Sequence, residues 1–284
     1  ICASLEAGKH VISEKPCAAD ASQAQFLIDF HHSHQGGPSW SVAENWPFKP
    51  SVQVISSLLK KALFGKIKTI NFRHASHGFK TDAGWRSNFR GGLLLDSSVH
   101  FISMLRQISG GILGVDASVG WRAPNFTADS VEAEISFENG VSGQFSVALS
   151  KDADPEHRHQ LWVECQNGVI KADFINNQLS LEHGGHEQVI DIPGDHWVQG
   201  GVYQMLRHCS ESLTAGVPSL CSPLEGQKDV AVVEAMMQSS RLSRPVAPAV
   251  FYGLLSSNGR EIPTFAGVNN FKPRHSVEAT GASE

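Results

Sequence analysis

The sequence predicts a mixed fold, an α/β opening followed by an α+β body, and three observations predict it. Strands and helices alternate over the first 64 residues, apolar and polar residues alternate with period two across residues 130–149, and two helical segments close the folded part. With 284 residues, 41% of them hydrophobic and only 18% charged, the chain can bury a large core. Its formal net charge of -5 gives no electrostatic reason to expect nucleic acid or anionic lipid as a partner.

Residues 1–8 read as the end of a helix stopped by Gly8, and His10, Val11, Ile12 and Ser13 follow as a short strand. Residues 19–31 return to helical spacing through Ala21, Ala24, Phe26 and Leu27, then Gly36, Gly37 and Pro38 break it. Residues 40–44 give a second strand, so that strand, helix and strand make a parallel unit. A further helical segment at 58–64 ends at Gly65, and a strand follows at 66–74. Read as a helix, residues 93–108 carry an apolar stripe of Leu95, Val99, Ile102 and Leu105 beside a polar one of Asp96, His100, Ser103 and Gln107.

Val131, Ala133, Ile135 and Phe137, then Val141, Phe145, Val147 and Leu149, mark two strands with one buried face. Asn139-Gly140 between them fits the positive φ angles of a tight hairpin turn. Glu132, Glu134, Ser136 and Gln144 fall on the opposite, polar face, which suits solvent or a wet interface between copies of the chain. Strands at 161–165, 169–174 and 179–181 extend an antiparallel meander. Residues 202–215 then form a helix with Val202, Met205, Leu206, Cys209 and Leu213 on one broad side, stopped by Gly216 and Pro218. Ser222 as cap, Pro223 at the first helical position and Glu225 three residues after the cap start the last helix, whose Met236 and Met237 are core filler. Residues 251–284 read as a polar tail.

Five scattered cysteines without a C-x-x-C pair, and no apolar run of the ~20 residues that span a bilayer, predict a soluble protein of a reducing, cytoplasmic compartment with no membrane partner. Opening on Ile1 in what looks like the end of a helix, the chain reads as the back part of a longer protein. Fourteen histidines include His31-His32-x-His34, His74-x-x-His77, His157-x-His159 and His183-x-x-His186. None has the cysteine or carboxylate partners of a recurring zinc site, and no metal is expected.

Two segments can carry chemistry. Glu14-Lys15-Pro16 follows an apolar strand and so lies at its carboxyl end, the edge at which open parallel sheets bind ligands; the bland alternative is a solvated lysine at a strand end. Pro16 allows a cis bond after Lys15. In the second segment, Asp96 and His100 become neighbours on a helix, a carboxylate beside an imidazole poised near neutral pH, as proton transfer requires; the alternative is a solvent-facing stripe. Gly91-Gly92 permits close backbone approach, and Trp85-Arg86 pairs a flat apolar surface with a forked cation. Cys17 reads as a small buried residue, since no assisting base lies near it in sequence.

Taken in order, Glu14-Lys15-Pro16, Trp85-Arg86, Gly91-Gly92 and Asp96-x-Ser98-x-His100 resemble the Gfo/Idh/MocA family of glucose-fructose oxidoreductase and inositol dehydrogenase, and residues 7–16 look like its signature word. The resemblance covers roughly residues 1 to 247. It implies the carboxyl-terminal remnant of a Rossmann domain at 1–64, a substrate domain with an open, mainly antiparallel sheet at 65–250, and a tail at 251–284. It also implies an NAD- or NADP-dependent dehydrogenase acting on a sugar, polyol or diol hydroxyl, and pairing through the open sheet into a homo-oligomer. By position, Lys15 would touch nicotinamide and substrate, His100 would take the hydroxyl proton, and Asp96 would orient substrate and histidine. Glu14, Lys15, Pro16, Asn45, Trp85 and Arg86 would contact the cofactor. The alternative is a non-catalytic protein of the same fold that senses a sugar or cofactor.

Three departures accompany the resemblance. Ser98 stands at a usual glycine, where it would crowd the helix against the cofactor. Asn45-Trp46-Pro47-Phe48 has proline where the family's Asn-x-Arg-Phe word has arginine. There is no G-x-G-x-x-G, and Gly110-Gly111-x-x-Gly114 has the wrong spacing, so these residues alone are expected to bind NAD(P) weakly or not at all unless a preceding segment is restored.

Overall fold

The computed structural model describes residues 1–34, 36–61, 63–76, 91–122, 127–149, 159–196, 199–215 and 219–252. Trp85, Arg86, His77, His157, Gly216, Pro218 and the tail from 253 lie outside the described residues. Two sheets organise the rest. The first is a parallel pair: helix α1 (Cys2–Glu6), strand β1 (Val11–Glu14), helix α2 (Ala21–Ser33) and strand β2 (Trp40–Ala43). Gly8 has φ 70 as the chain leaves α1, and Asp20 caps α2 by accepting from the Gln23 N–H at 2.7 Å. The buried side of α2 is Ala21, Ala24 and Ile28. Phe26, assigned to that side from its spacing, is 64% exposed, because Ile28 continues the stripe that begins at Ala21 and Ala24.

After a 3-10 turn (Trp46–Phe48), helix α3 (Pro50–Lys60) starts well before the expected 58–64, with Pro50 at its first position, where no N–H is needed. Strand β3 (Ile67–Ser76), helix α4 (Gly92–Ser109), and strands β4 (Ile112–Arg122), β5 (Thr127–Phe137), β6 (Ser142–Leu149), β7 (Gln160–Cys165), β8 (Gly168–Asp173), β9 (Gln178–His183) and β10 (His186–Asp191) follow. They build an eight-stranded sheet in the order β10-β9-β8-β7-β3-β6-β5-β4, antiparallel throughout except where β3 runs beside β6. This is the open, mainly antiparallel sheet expected.

Val131, Ala133, Ile135 and Phe137 are buried, whereas Glu132 and Gln144 are exposed, so the period-two reading of this hairpin holds. Its turn differs from the expected one. Phe137 and Val141 close a loop of residues 138–140 in which Gly140 alone takes positive φ (81), so the hairpin has a three-residue loop instead of a two-residue turn. Helix α5 (Val202–Ala215) buries Met205, Cys209 and Ser212, while Leu206 and Leu213 flank that stripe and stay exposed. Helix α6 (Pro223–Leu242) begins as read: Ser222 accepts from the Glu225 N–H at 3.3 Å, and Met236 and Met237 are buried. Helices α4 and α6 pack on each other and on β4 and β5, so the core lies between them and one face of the sheet. Among the described residues no helix is long and apolar enough to cross a membrane.

Candidate active site

Every residue of the site lies where the parallel pair meets α4. Glu14 pairs with Ala43 across the ladder, so Lys15 and Glu44, the next residue on each strand, leave the two strand ends side by side. Helix α4 faces them with Asp96 and His100 four residues apart, which puts both on one side of the helix. Gly92 lets α4 lie close to the sheet, since it takes φ 48 and a Cβ there would come within 2.8 Å of the Thr127 Cβ.

Two contacts join strand ends to helix. Lys15 Nζ donates to Asp96 Oδ1 at 2.9 Å and to the Asp96 carbonyl at 2.7 Å. An ammonium carries three donors, and among the described residues two of them are spent, both on Asp96. The His100 imidazole meets Glu44 through Nδ1 and Oε1 at 2.8 Å. The sequence puts Asp96 and His100 on one stripe, and the structure keeps them there, but Asp96 serves the lysine and another carboxylate serves the imidazole. Asp96 is buried and His100 half-buried, so this is not the solvent-facing stripe of the bland reading.

Sequence reading missed Glu44, although a signal was present: it follows β2 as Lys15 follows β1. Its Oε1 also accepts from the Trp46 N–H at 3.0 Å. Trp46 lies beside the histidine, with ring centroids 6.1 Å apart, and stands edge-on to Phe101 at 5.0 Å. Behind it lies a buried ion pair that no sequence pattern signals, Lys49 Nζ to Asp195 Oδ1 at 2.8 Å. Burial pulls the Lys49 pKa down, while the Asp195 carboxylate opposes the fall. The Ser51 N–H donates to Asp195 Oδ2, so the pair ties the start of α3 to the loop before α5.

The remaining expected residues divide. Lys15-Pro16 is a cis peptide at the carboxyl edge of β1, and Glu14 is exposed beside it. Asn45, expected at the cofactor, is buried, and its Nδ2 donates to the Gly200 carbonyl at 2.7 Å. The backbone approaches closely here, since a Cβ on Gly201 would lie 2.5 Å from the Asn45 carbonyl oxygen. Ser98 is fully buried, and its hydroxyl has no hydrogen-bond partner among the described residues. Cys17 is buried as read, and burial pushes its thiol up to about 12, far from a nucleophile's range. Among the described residues no three of His, Cys, Asp and Glu gather as metal ligands.

The residues present fit the reactive end of a nicotinamide dinucleotide. Among the described residues, a cation with one N–H donor still to spend and an imidazole whose Nε2 has no partner lie at the carboxyl edge of a parallel pair, where such ligands bind.

Residues 52–171 match the family model described as the GFO/IDH/MocA C-terminal domain. The dehydrogenase FPY6 of Fusarium mangiferae is 38% identical over 258 residues, covering 83% of this chain and 70% of that protein. Among solved structures, an oxidoreductase from Agrobacterium radiobacter in complex with NAD+, L-tartaric acid and magnesium superposes with a TM-score of 0.75 at 18% identity, covering 88% of this chain and 76% of that one. A levoglucosan dehydrogenase in complex with NADH and L-sorbose does so with a TM-score of 0.75 at 18% identity, covering 87% and 75%.

Proposed function

Because the chain belongs to the Gfo/Idh/MocA oxidoreductase family, we propose that it is an NAD(P)-dependent dehydrogenase acting on a hydroxyl group of a sugar, polyol or diol. The observation that carries this reading is that two groups at one edge, the third N–H of Lys15 and Nε2 of His100, have no hydrogen-bond partner among the described residues. The solved relatives with NAD+ or NADH, one of them also with a sugar, support the ligand class.

When bound, a nicotinamide dinucleotide supplies the hydride acceptor. The chain's residues do the rest. An alcohol carbon gives up hydride readily only as its hydroxyl proton leaves, so His100 Nε2 receives that proton. Lys15 donates its remaining N–H to the oxygen and stabilises the developing alkoxide. Asp96, bonded twice to Lys15, holds the ammonium at that oxygen, and in the reverse direction His100 returns the proton to a carbonyl. Glu14 and Pro16 border the edge against which the nicotinamide would lie.

The test is reduction of NAD+ and NADP+ by a panel of sugars, polyols and diols, using the protein as its source cell makes it. Turnover with at least one of these compounds is expected. Lys15→Ala, Asp96→Ala and His100→Ala should each lower kcat by about 10²- to 10⁴-fold with the fold intact. Sugar or coenzyme binding without turnover, unaffected by the three changes, would favour a sensing protein instead.

A further inference from the structure

Building on the oxidoreductase reading, we propose that Glu44 is a positioning residue: it holds the His100 proton on Nδ1 and so leaves Nε2 as the base that meets substrate. A neutral imidazole has one N–H and one lone pair, and an ionised carboxylate only accepts. With Nδ1 2.8 Å from Glu44 Oε1, the hydrogen belongs on Nδ1 and the lone pair on Nε2. A ring that carries its hydrogen on Nε2 has no lone pair there and could not accept a hydroxyl proton at that nitrogen. The same division of labour recurs wherever a buried carboxylate orients a histidine base.

Glu44 is built for holding still. It is 5% exposed, and Oε1 takes both the His100 contact and the Trp46 N–H. Its Oε2 has no hydrogen-bond partner among the described residues, so its donors gather on the oxygen that faces the histidine. Asp96, the carboxylate nearest to His100 in sequence, is committed to Lys15. The strand register explains the division, since adjacent strand ends present a cation and an anion to adjacent rungs of one helix.

The test is nitrogen NMR of the full protein labelled with 15N-histidine, at a pH where the ring is neutral, with the His100 signals assigned through His100→Asn. The Nδ1–H tautomer is expected in the wild type, and Glu44→Ala should shift the population toward Nε2–H. In the assay above, the same variant should lose on the order of 100-fold in kcat with little change in KM, because substrate touches His100 and Lys15 but not Glu44. An Nε2–H tautomer in the wild type overturns the proposal even if no Glu44 variant folds, and so does an unchanged kcat in Glu44→Ala. The two readings fail separately. An Nδ1–H tautomer without turnover of any hydroxyl compound upholds the proton's placement and counts against the dehydrogenase alone. An Nε2–H tautomer in an active enzyme overturns the role of Glu44 and leaves the dehydrogenase standing.

Discussion

Three N–H donors on Lys15 meet two acceptors on Asp96 among the described residues, and the third is the one that the proposed mechanism gives to the substrate oxygen. Lys15, Asp96 and His100 could be read from the sequence because each sits in a local pattern, a strand end or a helical spacing of four. Glu44 could not be paired in that way, since 56 residues separate it from His100 and only the fold joins them. His74 belongs to the same hidden class. It lies on β3 against Phe101, with ring centroids 4.6 Å apart, and against His159. Burial, and then the neighbouring imidazole, push its pKa well below the ordinary histidine value. The unfolded chain therefore binds the proton more readily. The stability contributed by neutral His74 is present above about pH 6.5 and is lost as the pH falls below it. Urea midpoints measured at about pH 8 and about pH 5.5 should drop less in His74→Gln than in the wild type, and an equal drop would contradict this assignment.

Among the elements, the two strands missing from the sequence reading are the two edges of the large sheet, β4 and β10. The reason is physical. Every residue of β10 but one is exposed, so it has no buried face and no apolar alternation to detect. Strand β4 contains Gly114 and Gly120, a residue type depleted in strands, and edge strands tolerate such sequences because only one side must pair. Interior strands, with one buried face, were readable to within three residues at their ends. Helix starts were readable where a cap was present. Ser222→Ala should cost about 1 kcal/mol by removing the acceptor for the Glu225 N–H, measured by urea unfolding. A larger loss is expected at the Lys49–Asp195 pair, which joins α3 to the loop before α5. Asp195→Ala removes the carboxylate from a buried ammonium and should cost about 3–5 kcal/mol.

For the whole molecule, the site exists because two different sheets converge on one helix. The parallel pair supplies Lys15 and Glu44, and α4, packed on the large sheet, supplies Asp96 and His100. The fold class was readable because hydrophobic period reports sheet type, whereas this convergence was not, because period says nothing about which elements meet. The glycine-rich G-x-G-x-x-G word does not occur in this sequence, and under the proposed function the described residues would serve the reacting end of the site. The measurement that tests the central claim most directly is a crystal structure of the protein with NADH and a polyol that it turns over. A single substrate oxygen within about 3 Å of both Lys15 Nζ and His100 Nε2 is the predicted result. A polyol bound elsewhere, or one whose reacting oxygen meets neither atom, would contradict it.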